Sequence, residues 1–190
     1  MSGGELSILS GEQFDEIVPE SPWDFSGFAK LLDAIDDKCR RQEAVLAGQI
    51  ACKAGCHHCC RRIPSILPVE WAWMRQAESR AAKDRPLRAG LVSDLHPGEP
   101  LCDHLDEQGL CRIYAVRPLI CRTHGMLILS EQGLDHCPWN FADLEEVDDE
   151  LVFRLENLHE TLLRLNLAFL RHSYPSRYGQ MAAMRVEFQA

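Results

Sequence analysis

Apolar positions recur at steps of three and four along residues 24–50: Phe28, Leu31, Leu32, Ile35, Cys39 and Leu46 share one side of a helical wheel. The pattern predicts a long amphipathic helix from Asp24 to Ile50. A second helix is expected from Val69 to about Arg80, carrying Trp71, Trp73 and Met74. Pro68 suits its first position, where no intrahelical N–H is needed. Leu144, Val147, Leu151, Leu155, Leu158, Leu162, Leu165 and Phe169 keep the same spacing. They predict a third helix, capped by Asn140 or Asp143 and running to about Phe169. Acids crowd its first turns, and Arg164, Arg171 and His172 lie near its end, as a helix dipole favours. The first and third helices should pack together and carry the turns between them.

Those turns break the helical rhythm. Ile63-Pro64-Ser65-Ile66-Leu67 is short, apolar and suited to an extended path, and Pro86, Gly90, Pro97, Gly98 and Pro100 punctuate a loop. Asp106-Glu107-Gln108-Gly109 and Glu131-Gln132-Gly133 each sit between short apolar stretches and predict hairpin turns. Residues 1–22, rich in Gly, Ser and acids and interrupted by Pro19 and Pro22, suggest a flexible N-terminal tail. The expected architecture is mainly α. A single helical domain with short β-hairpins would span residues 23–175 around a cysteine-rich metal centre. Its motif core would be 52–137, and a C-terminal extension would cover 176–190.

Composition narrows the function. The 190 residues are 46% hydrophobic, enough for one ordinary core. A formal net charge of -9 argues against a general nucleic-acid binder and against a partner for anionic membranes. The first twenty residues lack a basic start and a continuous apolar run, and no stretch approaches the ~18–20 apolar residues that cross a bilayer. A cytoplasmic, reducing location is therefore expected. Nine cysteines in such a compartment point to metal ligation rather than to a disulfide framework.

The densest signal is Cys52-Lys53-Ala54-Gly55-Cys56-His57-His58-Cys59-Cys60. Short spacings let a tight turn aim successive sulfurs at one ion, and Gly55 can take the backbone angles such a turn demands. Consecutive side chains usually diverge, so one of Cys59 and Cys60 is expected to complete a site with distant residues. Cys102, Cys111, Cys121 and Cys137 are the available partners. The eight thiols fit two four-sulfur sites, one cluster with spare structural thiols, or a binuclear site. His57, His58, His104, His124 and His136 could replace some sulfurs. Zinc accepts Cys and His in tetrahedral sets, while iron–sulfur clusters favour thiolates; both stay open. Arg61, Arg62, Arg112, Arg117 and Arg122 each lie within a few residues of a cysteine, placed to offset thiolate charge or to donate to sulfur. Cys39, on the apolar helix face, is expected in the core.

Two separated motifs carry a resemblance. Cys52-x-x-x-Cys56-x-x-Cys59-Cys60 followed by Cys111-Arg112-Ile113-Tyr114-x-x-Arg117-Pro118-x-x-Cys121-Arg122 resembles the YkgJ-type cysteine-cluster family of zinc- or iron-chelating domains, to which flagellin lysine-N-methylase is related. The resemblance implies metal binding by Cys52, Cys56, Cys59, Cys60, Cys111 and Cys121, with Cys102 and Cys137 as additions. The implied cofactor is zinc or iron, including a [4Fe-4S] cluster. Methylase activity does not transfer with it, because no separate methyl-donor domain is visible. Cys52-x-x-x-Cys56-x-x-Cys59 also matches the three-cysteine spacing of radical S-adenosylmethionine enzymes, but the repeated strand–helix pattern of their barrel is missing. No dinucleotide fingerprint, phosphate loop or zinc-protease motif is present. A metal-binding module and a metalloenzyme acting on a protein side chain are the two function classes that follow. The absence of a convincing general base or nucleophile favours the module.

Overall fold

The computed structural model describes residues 7–61, 64–81, 101–141, 144 and 146–188. In chain order these form β1 (Ser7–Leu9), α1 (Gly11–Asp15), α2 (Ser26–Val45), β2 (Ser65–Ile66), α3 (Pro68–Ala81), α4 (Leu119–Thr123), β3 (Ile128–Ser130), β4 (Gly133–Asp135), β5 (Phe153–Arg154), α5 (Leu155–Ser173), α6 (Tyr178–Met181) and β6 (Met184–Glu187). The described residues are mainly helical, with two three-stranded sheets among them. It divides into two compact units, one of residues 1–23, 55–118 and 166–190, the other of residues 24–54 and 119–165.

In the first unit β6 is the central strand, parallel to β1 and antiparallel to β2, with Leu9 and Ile66 both opposite Val186. Val186 is fully buried. Residues 7–22, expected as a tail, thus carry a paired strand and a capped helix. Ser10 and Gln13 form a reciprocal capping box at the start of α1, and Phe14 buries against Tyr174. The expected C-terminal extension likewise supplies the sheet's middle strand. Gly11 is needed for close approach: a Cβ there would lie 2.2 Å from the Trp71 ring. Trp71 Nε1 donates to Asp15 Oδ1 (2.8 Å), and Arg75 pairs with the same carboxylate (2.9 Å), fastening α1 to α3. Pro68 opens α3 as predicted, and buried Asn166 Oδ1 accepts the Val69 N–H (3.1 Å). The Pro/Gly-punctuated loop at 86–100 lies outside the described residues.

In the second unit α2 begins where Asp24 accepts hydrogen bonds from the Ser26 N–H and hydroxyl, both 2.9 Å. It buries Phe28, Leu32, Ile35, Cys39 and Gln42, a stripe at steps of three and four. The helix closes at Val45, five residues short of the predicted Ile50. β3 pairs antiparallel with β4 and parallel with β5. Leu127, Phe141 and Val152 form its core, with Leu46, Ile50, Leu129, Leu144 and Val147 packed around them. Gln42, fully buried, accepts the Leu127 N–H (2.9 Å) and donates to the carbonyls of Leu151 (2.6 Å) and Leu127 (3.4 Å).

The third predicted helix starts late. α5 begins at Leu155, and the leucine-spaced stretch before it is a turn followed by β5. Asp148 Oδ1 takes the Glu150 N–H (2.9 Å), and the Phe153 N–H bonds the Leu127 carbonyl (2.9 Å). The acidic run at 145–150 disfavours a helical turn through like-charge neighbours, and Leu151, Val152 and Phe153 are all buried, which a one-sided helix cannot provide. Both hairpin turns form where expected, at Asp106–Gly109 and at Glu131–Gly133.

Candidate metal centre

No disulfide joins any of the nine cysteines. In the first unit a turn of 3-10 helix at His58–Arg61 carries Cys59 and Cys60, and the hairpin from Cys102 to Cys111 stands beside it. The Cys102 N–H bonds the Cys60 carbonyl (2.9 Å) and so fixes the two segments together. The hairpin is built locally. Asp106 Oδ1 accepts the N–H groups of Gln108 (3.0 Å) and Leu110 (2.8 Å), and Leu105 bridges to Cys111. Cys102 and Cys111 are thereby held at the two ends of one turn.

Four thiols in this unit interact. Hydrogen bonding to Cys59 holds the Cys60 thiol in its protonated form, and burial and charge on Cys59, Cys102 and Cys111 act in the same direction. The 3-10 turn carries the two adjacent cysteines, Cys59 exposed and Cys60 half-buried. Burial pushes Cys102 up to about 11, against the N–H of His104, which donates to its sulfur. Burial raises Cys111 as well, opposed by the N–H of Ile113 and the guanidinium groups of Arg117 and Arg112. Both hairpin sulfurs therefore accept an amide hydrogen from the residue two positions on. That bond favours the thiolate. Among the described residues, no three His, Cys, Asp or Glu side chains stand close enough to hold a metal ion as they are.

The surroundings of this group are mixed. Cys56 lies on the exposed turn after Gly55. His57 Nδ1 meets the Gly55 carbonyl (2.9 Å) and its ring stacks on His58. His104 is buried against Phe188, and that burial lowers its basicity. The Arg117 guanidinium lies 3.7 Å over the exposed Tyr114 ring and donates to the Tyr114 carbonyl (2.7 Å). Tyr114 therefore caps an arginine at the surface. Arg62 lies outside the described residues.

The remaining thiols belong to the second unit. Cys52, exposed, and Cys137, buried, flank Gly125. A Cβ on Gly125 would sit 3.3 Å from Cys137 Cβ and 3.7 Å from Cys52 Sγ, and its φ of +89 excludes most side chains in any case. Asn140, fully buried, donates from Nδ2 to the Gly125 carbonyl (2.8 Å) and to Cys52 Sγ (3.5 Å). Cys121 is half-buried on α4. Its neighbour Arg122 is buried and pairs with Asp36, and the Cys39 S–H donates to the Arg122 carbonyl (3.6 Å). Arg122, expected as a counter-charge to sulfur, thus ties α4 to α2. His136 meets the Cys137 carbonyl (2.9 Å), and His124 is exposed.

A family model for CxxCxxCC, described as a putative zinc- or iron-chelating domain, matches residues 51–148, just over half of the chain. The chain belongs to this family. All eight clustered cysteines fall inside the matched stretch, and here the first interval of the CxxCxxCC motif, Cys52 to Cys56, holds three residues. No curated protein and no solved structure matches the chain. Among the described residues, no helix is long and apolar enough to cross a membrane.

Gly125 and Asn140 were not singled out as site residues from sequence, where Asn140 was weighed only as a helix cap. The one signal available was a polar amide three positions after Cys137.

Proposed function

We propose that the protein is a metal-chelating module in which Cys59, Cys60, Cys102 and Cys111 hold zinc or iron, the latter as an iron–sulfur centre. The observation that carries this reading is the seating of the Cys102–Cys111 hairpin beside the Cys59–Cys60 turn, fixed by the Cys102 N–H bond to the Cys60 carbonyl (2.9 Å), in a chain of the zinc- or iron-chelating family. The donor set fits both candidates, since zinc takes four thiolates tetrahedrally and iron–sulfur clusters are held by thiolates. A cation displaces the protons that burial now favours on these sulfurs. The N–H groups of His104 and Ile113, with Arg112 and Arg117, then offset the thiolate charge. Four sulfurs fill a tetrahedral shell and leave no position for a substrate, which favours a module over an enzyme. Cys52, Cys121 and Cys137 are proposed as ligands of a second metal within the second unit, and Cys56, on the exposed turn, as an additional donor.

Anaerobic purification followed by metal and sulfide analysis tests this. Wild type should carry stoichiometric zinc, or iron with labile sulfide and a brown colour. Cys102→Ser and Cys111→Ser should lose most of the metal, whereas Cys39→Ser, in the α2 core, should keep it. Full metal content in both hairpin variants would remove the assignment.

A further inference from the structure

Asn140 makes an unusual set of bonds for a loop residue. It is fully buried. Its backbone N–H bonds the Cys137 carbonyl (2.9 Å), and its Oδ1 accepts the N–H of Ala51 (2.9 Å), the residue before Cys52. Its Nδ2 donates to the Gly125 carbonyl (2.8 Å) and to Cys52 Sγ (3.5 Å). Both amide hydrogens and the carbonyl oxygen are therefore engaged, and every partner lies in or beside a thiol-bearing segment. A side chain with only acceptors, or one without polar atoms, could not make this set.

We propose that Asn140 is the positioning residue for Cys52 as a metal ligand, orienting its sulfur toward the Cys137 side of Gly125 and lending it an N–H that stabilises bound thiolate. This rests on the metal-chelation reading. The Oδ1 bond to Ala51 sets the backbone entering Cys52, and the Nδ2 bond sets the sulfur itself. The bond to Gly125 keeps the amide from rotating away. Gly125 has a role here too, because any side chain at that position would crowd Asn140 Nδ2, 3.3 Å from its Cβ position, and Cys137 at the same distance. Removing a hydrogen-bond partner of a metal ligand typically changes metal affinity by about 10–100-fold.

The test uses cobalt(II) as the probe, titrated anaerobically into metal-free full-length protein and read by its sulfur-to-cobalt charge-transfer absorption. Asn140→Asp keeps the size and the acceptor for Ala51 but loses both donated hydrogens. It should weaken cobalt binding about 10–100-fold and shift the charge-transfer band. The same change made on top of Cys52→Ser should have no further effect, because the sulfur it acts on is gone. Equal losses in both backgrounds, or none in either, would overturn the inference. If Asn140→Asp fails to give the wild-type circular dichroism spectrum, Gly125→Ala displaces the same amide and is read in the same two backgrounds, with a smaller loss expected. Wild type that binds cobalt and loses it on Cys102→Ser, with Asn140→Asp unaltered, keeps the chelation reading and rejects only the role of Asn140. Wild type that binds no cobalt rejects the chelation reading itself, and this inference falls with it.

Discussion

Cys102 and Cys111 stand at the two ends of one turn, and what holds them is local: the Asp106 side chain and a single bridge from Leu105 to Cys111. Cys52 and Cys137 come from opposite ends of the matched family region. They flank Gly125 through the buried side chain of Asn140, on a framework braced by Gln42. The first arrangement needs little beyond its own sequence. The second depends on two amide side chains that are satisfied only in the folded unit. The hairpin pair is set mainly by contacts close in sequence, whereas the second pair is only as well placed as the core around it.

That contrast can be broken in graded steps. Metal removal should have the largest effect, since the free energy of binding a structural metal, on the order of 10 kcal/mol, is shared with folding. A chelator should lower the melting temperature and speed amide exchange over residues 102–113; unchanged exchange there would mean the hairpin needs no metal. Next comes Gln42→Leu, which strands the Leu127 N–H and the Leu151 carbonyl in a buried site. It should cost about 3 kcal/mol in urea unfolding and speed exchange at Leu127, while leaving the hairpin amides as protected as before. A loss below about 1 kcal/mol would show that the second unit does not rely on this side chain. Asp106→Ala removes two part-exposed bonds from the hairpin turn and should cost about 1 kcal/mol, with a modest fall in metal affinity. Smallest of all is Glu160→Gln, which breaks an exposed pair with Arg164 on α5 and should unfold at the wild-type urea midpoint.

The same contrast explains what was legible in the sequence. α2, α3 and both hairpin turns follow from local pattern: the stripe Phe28–Leu32–Ile35–Cys39, Pro68 at a helix start, and Asp106 and Gly133 at turns. The long apolar repeat misled before Leu155, because Leu151, Val152 and Phe153 are buried in succession and Phe153 pairs in β5 beside β3. β1 and β6 were invisible for a related reason. Their pairing is between residues 7–9 and 184–186, and a short strand gains its stability only from that distant partner. At the candidate site, cysteine spacing singled out the thiols, and the placement of Cys59 and Cys60 beside the Cys102–Cys111 hairpin required the fold. Asn140 and Gln42 carry no spacing signal, since a buried amide differs from an exposed one only in what surrounds it.

Thiolates, chiefly those beside the hairpin, are proposed to form the coordination shell of a bound metal. X-ray absorption at the metal edge of anaerobically purified protein measures that shell directly. Sulfur neighbours only are expected, about four at roughly 2.3 Å from zinc or iron. A shell made mainly of nitrogen or oxygen would contradict that expectation.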